Sequence, residues 1–226
     1  MVGFIFNSTR LYNGQKAVFD AGTAVVPEHR GKSVFHQMFQ IMERQLTQAQ
    51  FEAYYLEVLQ QNKRAIQLYQ KHGFAVDREY VVLRSGDESA QNVLFQGEER
   101  EFSQFDFSAV SNCMVVKTSF EHSTQVLQKN SHLYGVRYTR KGEKISAFCV
   151  YTKANGAILQ LGYEDLSDLK LVLQSLLSTF SNISVKNVDT SYSQVLELFY
   201  SLHFEEVTRQ YEMSKKLAVS MEPQMD

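Results

Sequence analysis

The residues best placed for chemistry lie in a turn. His29-Arg30-Gly31-Lys32 follows the apolar run Ala21–Val26, which stops at Pro27, and precedes an apolar-periodic helix that begins near Ser33. Proline has no N–H for a strand ladder, so the strand ends there. A basic, glycine-containing turn at a helix start holds anions. The first N–H groups of a helix have no intrahelical acceptor, and the helix dipole adds positive potential. A second candidate is Glu57, a carboxylate within the apolar stretch Ala53–Leu59, which reads equally as a base perturbed by burial or as a carboxylate facing a strand edge.

These residues depend on the elements around them. Residues 2–8 and 16–26 predict two strands joined at Asn13-Gly14, a strong hairpin signal. A helix is expected over about 33–50. Val34, Met38 and Met42, together with Phe35, Phe39 and Leu46, recur at helical spacing on one face. Residues 53–59 predict a short buried strand. A helix follows from about Asn62 to His72, with Asn62 as N-cap and Gly73 past its end, and then a strand over 74–84. The alternation is that of an α/β protein.

Residues 85–104 are polar and acidic and predict a linker, with a packed turn at Val93-Leu94-Phe95. Beyond it the order recurs. Strands are expected over 133–139, 145–153, 157–163, 184–188 and 204–213, with helices over 121–130, 167–180 and 195–202. Leu68-Tyr69-Gln70-Lys71-His72-Gly73-Phe74 aligns with Leu198-Phe199-Tyr200-Ser201-Leu202-His203-Phe204. Such a spacing means duplicated domains, not a solenoid.

Composition narrows the class of function. The net charge of −2 speaks against nucleic acid and against an anionic membrane as partners. Two cysteines are too few for a disulfide framework or a cysteine-based zinc site. No apolar run reaches membrane-spanning length and no signal peptide opens the chain, so the cytoplasm is the expected location.

At this point the chain resembles the GNAT-type N-acetyltransferases. The resemblance rests on Thr23 to Lys32, on Leu56-Glu57-Val58 with Asn62, Ala65, Leu68 and Tyr69, and on Gly73-Phe74. It implies an α/β (α+β) fold of two tandem acyl-CoA N-acyltransferase domains, each a mixed, mostly antiparallel sheet flanked by helices. It also implies acetyl-coenzyme A as cofactor and direct attack by an amine of a small molecule or peptide. A homodimer is compatible with this reading.

Carried residue by residue, Val25 and Val26 offer backbone to the acetyl group and pantetheine arm. Arg30, Gly31, Lys32, Ser33, Val34 and Phe35 form the pyrophosphate loop. Asn62 contacts pantetheine and Ala65 lines the groove. Tyr69 is the general acid for the departing thiolate, although it is equally suited to the core. Asp20 and Glu57 are the candidate bases, and a water chain is as open an alternative.

Two departures from the family pattern bear on activity. Ser33 and Phe35 stand where the motif carries small residues. Serine keeps its amide and suits an N-cap. The Phe35 ring either obstructs the cofactor or turns into the core beside Phe39. The expected division is 1–84, a GNAT-like domain lacking the family's first strand and two helices; 85–104, a linker; and 105–226, a degenerate copy. In that copy Gly162 to Asp168 replaces the basic loop with acidic groups, while Tyr192 and Phe199 stand at the Asn62 and Tyr69 positions. The alternative function is a non-catalytic coenzyme A-binding or protein-interaction module.

Overall fold

The computed structural model describes residues 1–86, 95 and 97–218. The chain divides into two units. The first comprises Met1–Arg78 and the chain from Tyr211, and the second Glu79–Gln210.

In the first unit, β1 (Gly3–Tyr12) and β2 (Gln15–Val25) form an antiparallel hairpin. Its turn places Asn13 at φ 51° and Gly14 at φ 77°, both in the left-handed region. Such a turn twists in the same sense as the strands it joins. Helix α1 (Val34–Gln48) follows, then β3 (Ala53–Leu59), α2 (Lys63–Lys71) and β4 (Ala75–Ser85). The strand order is β1-β2-β3-β11-β4, to which β11 (Phe204–Lys216) contributes from Tyr211 and β4 up to Arg78.

Helix α1 turns Phe35 and Phe39 inward, as the apolar spacing predicts. Phe39 is 1% exposed, stacks on Tyr54 at 5.9 Å and packs on Phe74 at 5.8 Å. Burying a ring of that size contributes about 1.5–3 kcal/mol. Arg78 and Glu212 make a buried bidentate pair at 2.7 and 2.8 Å, and Arg78 also donates to the Tyr12 hydroxyl at 2.8 Å. Losing either partner would leave a buried, uncompensated charge.

The second unit has the strand order β11-β4-β10-β9-β8-β7-β5, with β6 beside β9. Its strands are β5 (Glu98–Glu101), β6 (Met114–Val115), β7 (Tyr134–Lys141), β8 (Lys144–Thr152), β9 (Ile158–Tyr163) and β10 (Ser184–Asp189). Its helices are α3 (Thr124–Gln128), α4 (Leu166–Leu177) and α5 (Ser193–Ser201). Leu169, Val172, Leu173 and Leu176 of α4 are fully buried in the main core. Pairing in the two units is mostly antiparallel. Parallel contacts join β2 to β3 and β9 to β10.

Several sequence-based boundaries move. Glu98–Glu101, expected within the linker, pairs antiparallel with β7. Of the expected turn, Val93 and Leu94 lie outside the described residues, and Phe95 packs against the second unit's core. The helix expected over 121–130 shortens to Thr124–Gln128. The residues from Tyr211 group with the first unit, so the units are not consecutive lengths of chain. The repeat is kept in local geometry: Gly73 at φ 86° and His203 at φ 60° each end a helix in the left-handed region.

Candidate active site

Strand β2 has two edges. Along one it pairs with β1 from Gln15 to Val25. Along the other it pairs with β3 only at Ala17↔Ala53, Val18↔Tyr54 and Phe19↔Tyr55. Beyond Phe19 the two strands part, and among the described residues no strand pairs the freed edge of β2 from Asp20 to Val25. The parting coincides with a bulge. Opposite Phe6 and Asn7 of β1 stand Gly22 and Asp20, so Ala21 is an extra residue on β2. An extra residue bends a strand and re-aims its side chains.

Asp20 sits at that bend. Its carboxylate accepts from the Gly22 N–H at 2.9 Å, the Thr23 hydroxyl at 2.7 Å and the Tyr69 hydroxyl at 3.3 Å. Burial pushes its carboxyl above the ordinary value, and the three hydrogen bonds oppose that shift. The Tyr69 hydroxyl is raised by burial, then by the charge of Asp20 and by the bond it donates to it. Tyr69 is half-buried on α2, with its ring edge-on to Phe35 at 5.8 Å and Phe74 at 5.7 Å. The two readings of Tyr69 therefore merge: the ring packs and the hydroxyl meets a carboxylate. Tyr54, whose hydroxyl donates to Asn7 Oδ1 at 2.7 Å, is also raised, by burial and then by Asp20. Glu57 lies half-buried on β3, beyond Tyr55, the last β3 residue paired with β2.

The freed edge leads into the basic turn. His29 and Arg30 donate their N–H groups back to Val26 and Pro27 in one short 3-10 turn. The helical ladder of α1 opens with Gln37 donating to Ser33 at 3.0 Å. The N–H groups of Ser33 to His36 are the four orphan donors of this helix start, and those of Gly31 and Lys32 precede them in the turn. Gly31 at φ 76° and Ser33 at φ 59° are both left-handed. Alternating left-handed and ordinary backbone is the pattern of anion-binding nests.

The Arg30 side chain folds back, its Nε donating to the Val25 carbonyl at 2.9 Å. Arg30 and Lys32 are exposed, as are Gly31 and Ser33. Val25 and Val34 are half-buried, and Val26 is 39% exposed.

The N-cap role expected of Ser33 is corrected in one respect. It holds the N-cap position, but its side chain makes no capping bond, because a left-handed backbone replaces the extended one that capping needs. Phe35 is 8% exposed and packs on Phe39, Tyr69 and His72, so its ring faces the core and its N–H stays in the turn. Asn62 caps α2, accepting from the Ala65 N–H at 3.2 Å, and Ala65 is half-buried one turn before Tyr69. Thr23, Asn7 and Tyr54 complete the surroundings of Asp20 and were not singled out from sequence. Each reads as an ordinary strand residue until the bulge brings them together.

Comparison with known proteins agrees with this geometry. Residues 1–74 match the model of the acetyltransferase (GNAT) family. No curated protein matches the chain. A GCN5-related N-acetyltransferase structure from Sphaerobacter thermophilus is 16% identical, with a TM-score of 0.65 over 96% of this chain and 77% of that one. A putative acetyltransferase from Pyrococcus horikoshii is 14% identical, with a TM-score of 0.68 over 96% and 70%. A tandem GNAT protein from the clavulanic acid biosynthesis pathway is 10% identical, with a TM-score of 0.57 over 97% and 80%. At these identities the likeness is one of fold. Among the described residues no helix is long and apolar enough to cross a membrane, and no group of three or more His, Cys, Asp or Glu could hold a metal ion. Residues 1–74 thus resemble the GNAT acetyltransferases, and the chain along its length has the fold of these structures.

Proposed function

We propose that the protein is an acetyl-coenzyme A-dependent N-acetyltransferase whose working site lies in the first unit. One observation carries the reading: the unpaired β2 edge from Asp20 to Val25 runs straight into a basic turn of orphan N–H groups. An extended, amide-bearing arm ending in a pyrophosphate matches both parts. The edge offers strand-like hydrogen bonds, and fixed N–H dipoles hold phosphate oxygens without rearrangement.

The cofactor supplies the acetyl thioester. The N–H groups of Gly31 to His36 hold its phosphates, with Lys32 as a nearby positive charge, while Arg30 braces the turn through the Val25 carbonyl. The β2 backbone leading up to Val25 would align the arm, since the Val25 carbonyl already accepts from Arg30 and both backbone groups of Val26 are bonded, to Val2 and His29. Asn62 and Ala65 would border the arm from α2. Direct transfer then depends mainly on holding an amine against the carbonyl.

Two residues handle protons. Asp20, held above its ordinary carboxyl range, is a stronger base than an exposed aspartate and takes the proton of the attacking amine. Tyr69 gives its hydroxyl proton to the leaving thiolate. Alone this would leave a phenolate beside a carboxylate. With Asp20 protonated, the contact at 3.3 Å returns a proton to the Tyr69 oxygen. Nitrogen loses one proton, sulfur gains one, and the pair ends as it began. Glu57 remains the alternative base, farther along β3.

Binding is tested by thermal unfolding with millimolar coenzyme A. Saturation a hundredfold above Kd corresponds to about 2.7 kcal/mol of stabilisation. A clear rise in Tm, reduced in Arg30→Ala, supports the reading. No shift in the unmodified chain would overturn it.

A further inference from the structure

The second unit repeats the parting of strands, and the chain itself fills it. Strand β9 pairs with β8 from Ile158 to Tyr163 along one edge. Along the other it meets β10 at one parallel position, Val185↔Ile158. In the first unit the corresponding freed edge has no strand on it among the described residues. Here β6 takes the place, antiparallel, with Met114↔Tyr163 and Val115↔Gly162. The Val116 N–H donates to the Leu161 carbonyl at 3.1 Å, and the Lys117 N–H to the Tyr192 hydroxyl at 3.1 Å. Asn187 of β10 donates to the Ser119 hydroxyl at 3.2 Å, and Gln160 of β9 to the His122 carbonyl at 2.7 Å. Residues 114–122 are thus fastened to both strands that part.

The helix start beyond is filled as well. Asp165 caps α4, accepting from the Ser167 N–H at 2.8 Å, and pairs with Lys141 at 2.6 Å. The carboxylate stands where the first unit presents a basic turn. A second anion there would meet like charge. The cleft remaining among Val116, Lys117, Gln160, Lys186 and Asn187 measures about 20 Å³, far short of the roughly 300–1,000 Å³ of ligand pockets.

We infer that the second unit's strand groove is a self-occupied cofactor site: β6 replaces the cofactor's arm and Asp165 its anion, so the protein takes up one coenzyme A per chain. This rests on the proposed function for the first unit, but the seating of β6 stands without it. The test is amide hydrogen exchange on the full chain with and without millimolar coenzyme A. Without ligand, Val116 should exchange at least about a hundredfold slower than in an unfolded peptide. With ligand, new protection should be confined to residues 20–36 and 62–69.

Fast exchange at Val116 without ligand would overturn the inference. So would any ligand-induced change over 114–118 or 158–169. No ligand effect anywhere, with Val116 still slow, would sink the first-unit reading and leave β6 in its groove.

Discussion

Replacing Asp20 with asparagine should lower activity and raise stability together. The carboxylate is largely withdrawn from water, and burial raises its pKa despite three donors at 2.7 to 3.3 Å. The folded state therefore binds this proton more tightly than the unfolded chain, where an aspartate titrates near 3.9. A raised carboxyl contributes stability below the unfolded value and loses it as pH rises through the folded value. At neutral pH the ionised group is a net cost, about 1.4 kcal/mol for each unit of elevation. Asparagine keeps an acceptor for Gly22, and its amide can donate to the Thr23 and Tyr69 oxygens, so no buried polar group is stranded.

The variant should be more stable than wild type at pH 7, read as a higher Tm. The gain should vanish below pH 4. If Asp20 takes the amine proton, kcat/KM measured by thiol release should fall about 10²- to 10⁴-fold. The wild-type rise of kcat/KM with pH through the Asp20 titration should be absent in the variant. A variant within threefold of wild type, with that limb intact, would refute the role of Asp20 and move the base to Glu57 or water.

Two further substitutions separate the parts of the site. Tyr69→Phe keeps the ring between Phe35 and Phe74 and removes only the hydroxyl. It should lower kcat at least about tenfold with little change in the coenzyme A-induced Tm shift, and an equal loss in both would count against proton donation. Ser33→Gly relieves a left-handed serine worth about 1–2 kcal/mol and costs about 0.5–1 kcal/mol of chain entropy. With no capping bond to lose, a net gain of about 0.5 kcal/mol is expected by urea unfolding. A loss would show that the Ser33 side chain supports the turn.

Much of the first unit was legible because local rules and burial agree there. Asn13-Gly14, Pro27, Asn62 and Gly73 each mark a boundary through their own backbone chemistry, and each boundary falls within a residue or two of its expected place. Phe35 was legible only as a choice. Its type suggested obstruction and its spacing with Phe39 the core, and packing on Phe39, Tyr69 and His72 decides for the core. β5 and β6 escaped for a related reason. Glu98–Glu101 is polar on an edge, and Met114–Val115 is two residues long, so neither carries enough alternation to signal a strand.

The sequence by itself determined most of the elements, their order and the basic turn, since spacing, breakers and caps act over a few residues. Tertiary structure alone decided where paired strands part. The bulge at Ala21, the meeting of Asp20 with Tyr69 across 49 positions, and the filling of β9's edge by β6 are all long-range pairings. A backbone N–H carries no mark in the sequence of which carbonyl it will find, or of whether it will be left free. The difference between an open groove in one unit and a filled one in the other lies in those bonds.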